Sequence, residues 1–402
     1  MRALRHRDFA LLWFGAFFSF CGSWVQNVAQ GWLVYDLTGD KAKLALVSFM
    51  GMVPVSFIGP IAGVVVDMVN RRILLIGTQL VFASCALFLA FATWQGFVRY
   101  EHILGAALLI GISSSLEMPA RQSLVSSVVP KEDLAAAVPV NAMAFNVARV
   151  LGPALGGQML AWFGPKMCYL VNGLSYIGLI SAVLAIRANL GASQKRTWRI
   201  KALLVDGIRY TLSHPKLRPL FVLEAMTSTF GLAYLAQMPA IARDLLGLGE
   251  QGLGWCMTAI GVGAITGLVT VYKLTDRHVK GRLVRLALVN IAICLLLLSV
   301  VRVPWVAYVI FAVLGGSTVM QFNTTNTIFQ LVAPENLRGR VISMHVWAIS
   351  GLGPFGALAL GFVASYAGLP TALAIGGGCV LVGAVATLVK RWDFETRDLE
   401  DA

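Results

Sequence analysis

Apolar residues run along this chain in long blocks, at Phe9–Tyr35, Leu44–Val66, Ile73–Gln95, Ile103–Val129, Ala135–Phe163, Met167–Ile186, Pro219–Ala242, Gly252–Tyr272, Leu283–Val301, Trp305–Val332, Val341–Tyr366 and Pro370–Val389. Each block is near or above the roughly 20 residues that a helix needs to cross the hydrocarbon of a bilayer. The alternation of polar and apolar positions that marks a membrane-spanning barrel is absent. The pattern therefore predicts an all-α polytopic membrane protein with twelve transmembrane helices. The one sizeable polar interruption, Arg187–Arg218, contains Gln194, Lys195, Arg196, Arg199 and Lys201 and leaves six spans on either side.

Composition agrees with this reading. Of 402 residues, 58% are apolar and 13% charged, where soluble domains carry about 25% charged residues. Mean hydropathy is +0.77. The formal net charge of +13 invites a nucleic-acid reading, but the placement of the basic residues removes it. With the N-terminus inside, 24 of the 32 Lys and Arg fall in cytoplasmic segments, 6 outside and 2 within spans. That asymmetry puts both termini in the cytoplasm of a cell (inner) membrane. Arg2, Arg5 and Arg7 precede an apolar run too long for a signal peptide, one that carries Gln26, Asn27 and Gln30 and shows no small-residue cleavage site, so it reads as the first span. The six cysteines are scattered singly, without the spacing of a metal site or a disulfide framework.

The two halves echo one another. Tyr35-Asp36-Leu37-Thr38-Gly39 returns as Arg243-Asp244-Leu245-Leu246-Gly247, Val129-Pro130 with Asp133-Leu134 as Ala333-Pro334 with Asn336-Leu337, and Leu151-Gly152-Pro153-Ala154-Leu155-Gly156-Gly157 as Leu352-Gly353-Pro354-Phe355-Gly356. Three correspondences in the same order imply duplication. The expected organisation is a six-helix bundle over 1–190, a cytoplasmic linker over 191–217, a second bundle over 218–392 and a tail over 393–402. Within the linker, Ile200–Leu212 is amphipathic, which fits either a segment along the cytoplasmic face with its basic residues toward anionic lipid headgroups or a plain solvated loop. Asp36 and Asp244 are expected to cap helix ends, with proton uptake from the outside the alternative for Asp36.

Polar residues inside the spans are the candidate functional groups, because a charge in a membrane helix costs at least about 2.5–3.5 kcal/mol unless paired or wetted. Glu117 and Arg121 in the fourth span are four apart on one face, which fits either a protonation or substrate-orienting site or a structural ion pair. The fifth span carries Asn141, Asn146 and Arg149 ahead of Gly152, Pro153, Gly156 and Gly157, where small residues and proline permit bending and close packing. Glu224 with Thr227, Ser228 and Thr229, and Gln321 with Asn323, Thr324, Thr325 and Asn326, lie deep in the seventh and tenth spans. Such groups are expected to line water or contact ligand. No phosphate-binding loop, metal-ligand cluster or nucleophile elbow is present, so no enzyme, cofactor or metal is expected and the energy must come from a gradient.

Between the second and third spans, Gly63, Asp67, Arg71 and Arg72 resemble the G-x-x-x-D-R/K-x-G-R-R/K signature of the major facilitator superfamily. Met68 stands at a usually basic position and Asn70 at a usual glycine, where the tolerance of Asn for left-handed angles would keep the turn. A degraded counterpart, Gly267 with Asp276, Arg277, Gly281 and Arg282, follows the eighth span. The Gly152-Pro153-x-x-Gly156-Gly157 run resembles the fifth-span signature of the proton-driven exporters. Phe9-Ala10-Leu11-Leu12-Trp13, Gly31–Gly39 and Pro119-Ala120-Arg121-Gln122 are similar to the siderophore and macrolide efflux branch. The resemblance implies two pseudo-symmetric six-helix bundles around a midplane cavity lined by spans one, four, seven and ten. Trp24, Gln26, Asn27, Gln30, Glu117, Arg121, Arg149, Glu224, Tyr234, Gln321 and Asn323 are then the candidate cavity residues. It further implies proton-coupled export of a small amphipathic molecule by a monomer, with protons and membrane lipids as partners. An importer, a lysolipid facilitator of the same fold and a non-transporting receptor are the alternatives.

Overall fold

The computed structural model describes residues 2–187, 200–274, 279–335, 337–390, 392 and 394. Gln194, Lys195, Arg196, Arg199, Asp276, Arg277, Asn336 and most of the expected tail lie outside the described residues, as do the surroundings of Gly63 and the side chains of Asp67 and Lys201. Among the described residues every regular element is helical. The helices are α1 (Arg7–Thr38), α2 (Lys41–Met68), α3 (Arg71–Trp94), α4 (Tyr100–Val128), α5 (Leu134–Ala185), α6 (Ile200–Ser213), α7 (Leu217–Met226), the single turn α8 (Met238–Ala240), α9 (Glu250–Leu274), α10 (Lys280–Val300), α11 (Pro304–Val332), α12 (Arg338–Ser350), α13 (Gly353–Ala367) and α14 (Leu369–Val389). Eleven helical stretches among the described residues are long and apolar enough to cross a membrane.

The fifth and sixth expected spans are two arms of α5, which turns at Gly164 (φ 73°, ψ 176°). A positive φ of that kind is open to glycine at no steric cost, and Pro165 continues into the next arm. Two other spans depart from the continuous helices expected. The seventh span is α7, a π-helical turn over Thr227–Gly231, a 3-10 turn over Ala233–Gln237, α8 and a second π-helical turn over Ile241–Leu245. Gly231 and Pro239 weaken the ladder there, and π turns loosen a helix where side chains need re-aiming. The eleventh is broken between α12 and α13 at Gly351 and Leu352, just before Pro354. The matching Gly152-Pro153 lies inside an uninterrupted helix.

The turn after α2 is built differently from expectation. Asn70 adopts an extended conformation (φ −61°, ψ 117°), not a left-handed one. Its carboxamide oxygen accepts from the Arg72 and Ile73 amides at 2.9 and 3.4 Å, so Asn serves here as an N-cap, for which its short acceptor suits it. Arg71 Nη1 donates to Ser127 Oγ of α4 at 3.2 Å, and Arg72 Nη2 donates to the Ile186 carbonyl at the end of α5.

The chain forms two compact units. Within the described residues, the first draws on Met1–Gly39, Met50–Trp198 and Leu248–Thr258, the second on Asp40–Phe49, Arg199–Gly247 and Ala259–Ala402. In the first unit α1 lies along α5, and Phe9, Leu12, Leu75, Leu124, Leu179 and Val183 belong to one buried apolar cluster. A polar belt joins the same helices. Asn172 Nδ2 donates to Gln26 Oε1 at 2.7 Å and to the Tyr176 hydroxyl at 3.2 Å, and Tyr176 pairs with Ser23 Oγ at 2.9 Å. In lipid such bonds contribute because apolar burial does not distinguish protein from acyl chain. Asn172→Ala and Gln26→Ala are each expected to lower the melting temperature, with a double-mutant coupling of about 0.6–1.7 kcal/mol read by thermal denaturation in detergent; additive losses would remove the belt from the account.

The second unit is held by backbone approach. A Cβ on Gly263 or Gly267 of α9 would overlap the carbonyls of Ala312 and Gly316 on α11, so the two helices meet main chain to main chain. Large exposed apolar side chains such as Phe18, Phe57, Trp305 and Val382 cover the outsides of the units, as a protein solvated by lipid requires.

Candidate functional site

Two polar sites occur, one in each unit. In the first, Arg121 Nε stands 3.0 Å from Glu117 Oε1 one turn away on α4. Both side chains are mostly buried, at 10% and 13% exposure, and Pro119 between them removes one backbone donor from the turn. The guanidinium carbon sits 4.0 Å over the Phe20 ring, and Phe20 meets Phe145 edge-on at 5.3 Å, with Trp24 at 6.5 Å from Phe145. Desolvated cation–π contacts of this kind are worth up to about 2 kcal/mol. Phe20 and Phe145 escaped the sequence reading because aromatic residues are common in every span.

The other predicted residues of this unit have separate places. Gln26 is buried in the belt already described, Asn27 is exposed, and Gln30 and Arg149 are half-buried. Gly152 packs against the Trp24 side chain and Gly156 against the Val25 backbone. A Cβ on Gly157 would stand 2.7 Å from Gly254 Cα and 2.9 Å from the Glu250 carbonyl oxygen, so α5 and the start of α9 touch through glycine within this unit.

In the second unit Glu224 is fully buried and faces His345 of α12, which is 4% exposed. His345 Nδ1 lies 2.8 Å from Oε1 and 2.9 Å from Oε2 of the carboxyl group. Phe329 of α11 covers the imidazole, ring centroids 5.6 Å apart. One and two turns before Phe329 on the same helix face come Thr325 and Gln321, both buried, with no hydrogen-bond partner for their side-chain polar atoms. Thr324 and Thr227 share that condition. Unmet buried polar groups are uncommon in folded proteins, which makes this cluster a candidate for contact with water or ligand. Asn323 points away, exposed, with its amide on the Val319 carbonyl. Tyr234 is buried and stacks on Phe311 at 6.2 Å.

The second unit also holds the outer end of α2. Lys41 Nζ pairs with Asp244 Oδ2 at 3.0 Å, Gln237 Nε2 donates to the Lys41 carbonyl at 3.0 Å, and Ser365 Oγ donates to Asp40 Oδ1 at 3.2 Å. Phe49 meets Phe355 at 5.4 Å. Asp244, expected as a helix cap, thus engages in an ion pair; Asp36 is exposed at the end of α1, whose C-cap is Gly39 in the left-handed region.

A long-helical membrane protein with buried, unmet polar groups inside its spans belongs to the class of transporters. The particular family is the transmembrane secretion effector family of the major facilitator superfamily, whose model matches residues 1–401; the chain is a member, a multi-pass membrane transporter and not an enzyme. It is 26% identical over 393 residues to the multidrug efflux pump Tap of Mycolicibacterium fortuitum, covering 95% of each chain. It is 24% identical over 368 residues to the staphyloferrin A transporter of Staphylococcus aureus, covering 90% of this chain and 91% of that one. The fold is similar to a crystal structure of a mutant of the nucleoside transporter NupG, with a TM-score of 0.80 at 13% identity over 95% of this chain and 99% of the other.

Proposed function

We propose that the protein is a proton-coupled exporter of the cytoplasmic membrane that moves a small amphipathic molecule outward by alternating access. The observation that carries this reading is the fully buried Glu224, an acid placed inside an otherwise apolar helix and beside unmet amide and hydroxyl groups. A membrane acid of that kind is a functional group by default. The multidrug efflux named for the Tap relatives supports the outward direction, and with the staphyloferrin A named for the Staphylococcus aureus relative it supports a small-molecule cargo.

The moving bodies in this proposal are the two six-helix halves, 1–190 and 218–392, joined by the linker 191–217, with both termini and the tail inside. Rocking requires Asp40–Phe49 to leave Asp244, Gln237, Ser365 and Phe355, breaking one ion pair, two hydrogen bonds and a ring contact, and Leu248–Thr258 to leave Gly157. Glu117 or Glu224 exchanges the proton. Proteoliposomes containing ethidium or staphyloferrin A, with and without a pH gradient, test the reading. Flux driven by the gradient and lost in Glu117→Gln or Glu224→Gln is expected. Flux of either probe that is indifferent to the gradient and to both substitutions contradicts it. Inside-out vesicles give the direction, and uptake into them is the result expected of an exporter.

A further inference from the structure

We infer that Glu224 and His345 together hold one shared proton as a sealed pair, and that this pair, not Glu117–Arg121, carries the coupling proton. The inference rests on the proton-coupled reading above and narrows it to one site.

Counting protons on the pair decides its behaviour. The 2.8 and 2.9 Å contacts of Nδ1 to both carboxyl oxygens admit two arrangements with one proton: the imidazolium donating to a carboxylate, or a carboxylic acid donating to the neutral ring. Both are electrically neutral. A second proton leaves a buried positive charge, and loss of the proton leaves a buried negative one, each heavily disfavoured out of water.

Other charges are not placed to compensate. The elements packed on α7 are α6, α11, α12, α14 and the Thr227–Gly231 turn. The turn carries no ionisable side chain, α11 only the Tyr308 hydroxyl, twenty-one residues before Phe329, and α14 only the Cys379 thiol. On α12, Arg338 and Arg340 stand at the cytoplasmic end, seven and five residues before His345. On α6 and the turn after it, Lys201, Asp206, Arg209, Tyr210, His214 and Lys216 lie before the start of α7 in the chain, and Arg218 sits six residues before Glu224. The pair therefore keeps its single proton for as long as α7 and α12 stay together. It releases the proton when they part and water reaches the carboxylate.

Glu117 has the opposite partner. A guanidinium does not give up its proton in proteins, so the Glu117–Arg121 pair is neutral with nothing on the carboxylate to exchange. Two acids at similar depth are thus given different work by one neighbour each.

Nitrogen-15 histidine spectra in lipid nanodiscs provide the first test. The His345 Nδ1 resonance, identified by its loss in His345→Asn, is expected to carry the signature of a strong hydrogen bond to a carboxyl group and to lose it in Glu224→Gln. An Nδ1 resonance that is the same with and without the Glu224 carboxyl overturns the inference. Dicyclohexylcarbodiimide, which attacks protonated carboxyls from the lipid, needs no variant and decides the matter even where His345→Asn fails to fold. Peptide mapping after turnover under a pH gradient, when the pair parts and the carboxyl takes up its proton, is expected to find the adduct on Glu224 and at least tenfold less on Glu117; the adduct on Glu117, or none on Glu224 during turnover, overturns it. Flux of ethidium or staphyloferrin A separates this inference from the reading beneath it. Gradient-driven flux that persists unchanged in Glu224→Gln sinks the inference and leaves coupling intact. Flux in the unaltered protein that ignores the gradient sinks coupling, and the spectra and adduct map then decide the shared proton alone.

Discussion

Arg121→Leu is expected to destabilise the protein severely, because it leaves the Glu117 carboxylate without its guanidinium inside a membrane span. An unpaired charge at such depth costs at least about 2.5–3.5 kcal/mol, a large part of a typical domain's stability. Glu117→Leu strips the guanidinium of its partner and leaves it the Phe20 face, 4.0 Å away, so the loss is expected to be smaller. The double substitution Glu117→Leu/Arg121→Leu removes both charges and is expected to recover most of the stability, since well-packed apolar residues replace buried ion pairs at little cost. Thermal unfolding in detergent measures all three. A double variant as unstable as Arg121→Leu would show that the pair is not what the two charges are there for.

The second large effect lies where helices touch through main chain. Gly263→Leu forces a side chain into the Ala312 carbonyl, a backbone atom that cannot rotate aside. Overpacking commonly costs about 1–3 kcal/mol when side chains yield, and here α9 and α11 must separate. The expected result is loss of monodisperse protein on size-exclusion chromatography. Gly105→Leu is the control, because a Cβ at Gly105 meets nothing within 4 Å, and it is expected to behave like the unaltered protein. Equal behaviour of the two variants would contradict the close approach.

Hydropathy carried most of the fold, because a bilayer demands long apolar helices and tolerates little else. It marked the α5 arms separately, and Gly164 supplied the corner. What it did not carry were the interruptions. Thr227–Gly231 and Gly351–Leu352 look no different from the Gly152-Pro153 stretch, which stays helical, since proline and glycine in membrane helices break the ladder only where neighbours re-satisfy it. Asn70 was legible as a turn residue, but its role was assigned to its backbone when its side chain does the capping.

The site was half legible. Lone carboxylates and amides in apolar runs stand out, which brought Glu224 and Gln321 forward. His345 and Asn172 were passed over, as a single polar residue on a long span reads like a packing residue. One signal for His345 was present. Glu224 lies seven residues past Leu217 at the start of α7, and His345 seven past Arg338 at the start of α12, which puts acid and imidazole at one depth from the same membrane face. Asking which ionisable group shares the depth of a buried acid would have found it.

The Lys41 end of α2 is expected to leave its contacts in the second unit on every transport cycle. Lys41→Cys and Asp244→Cys, introduced together after replacement of the six native cysteines, allow the 3.0 Å ion pair to be replaced by a short bis-methanethiosulfonate bridge. Flux of ethidium or staphyloferrin A in proteoliposomes is predicted to stop when the bridge forms and to return when it is reduced. Flux that continues at its full rate across an intact bridge would contradict the account.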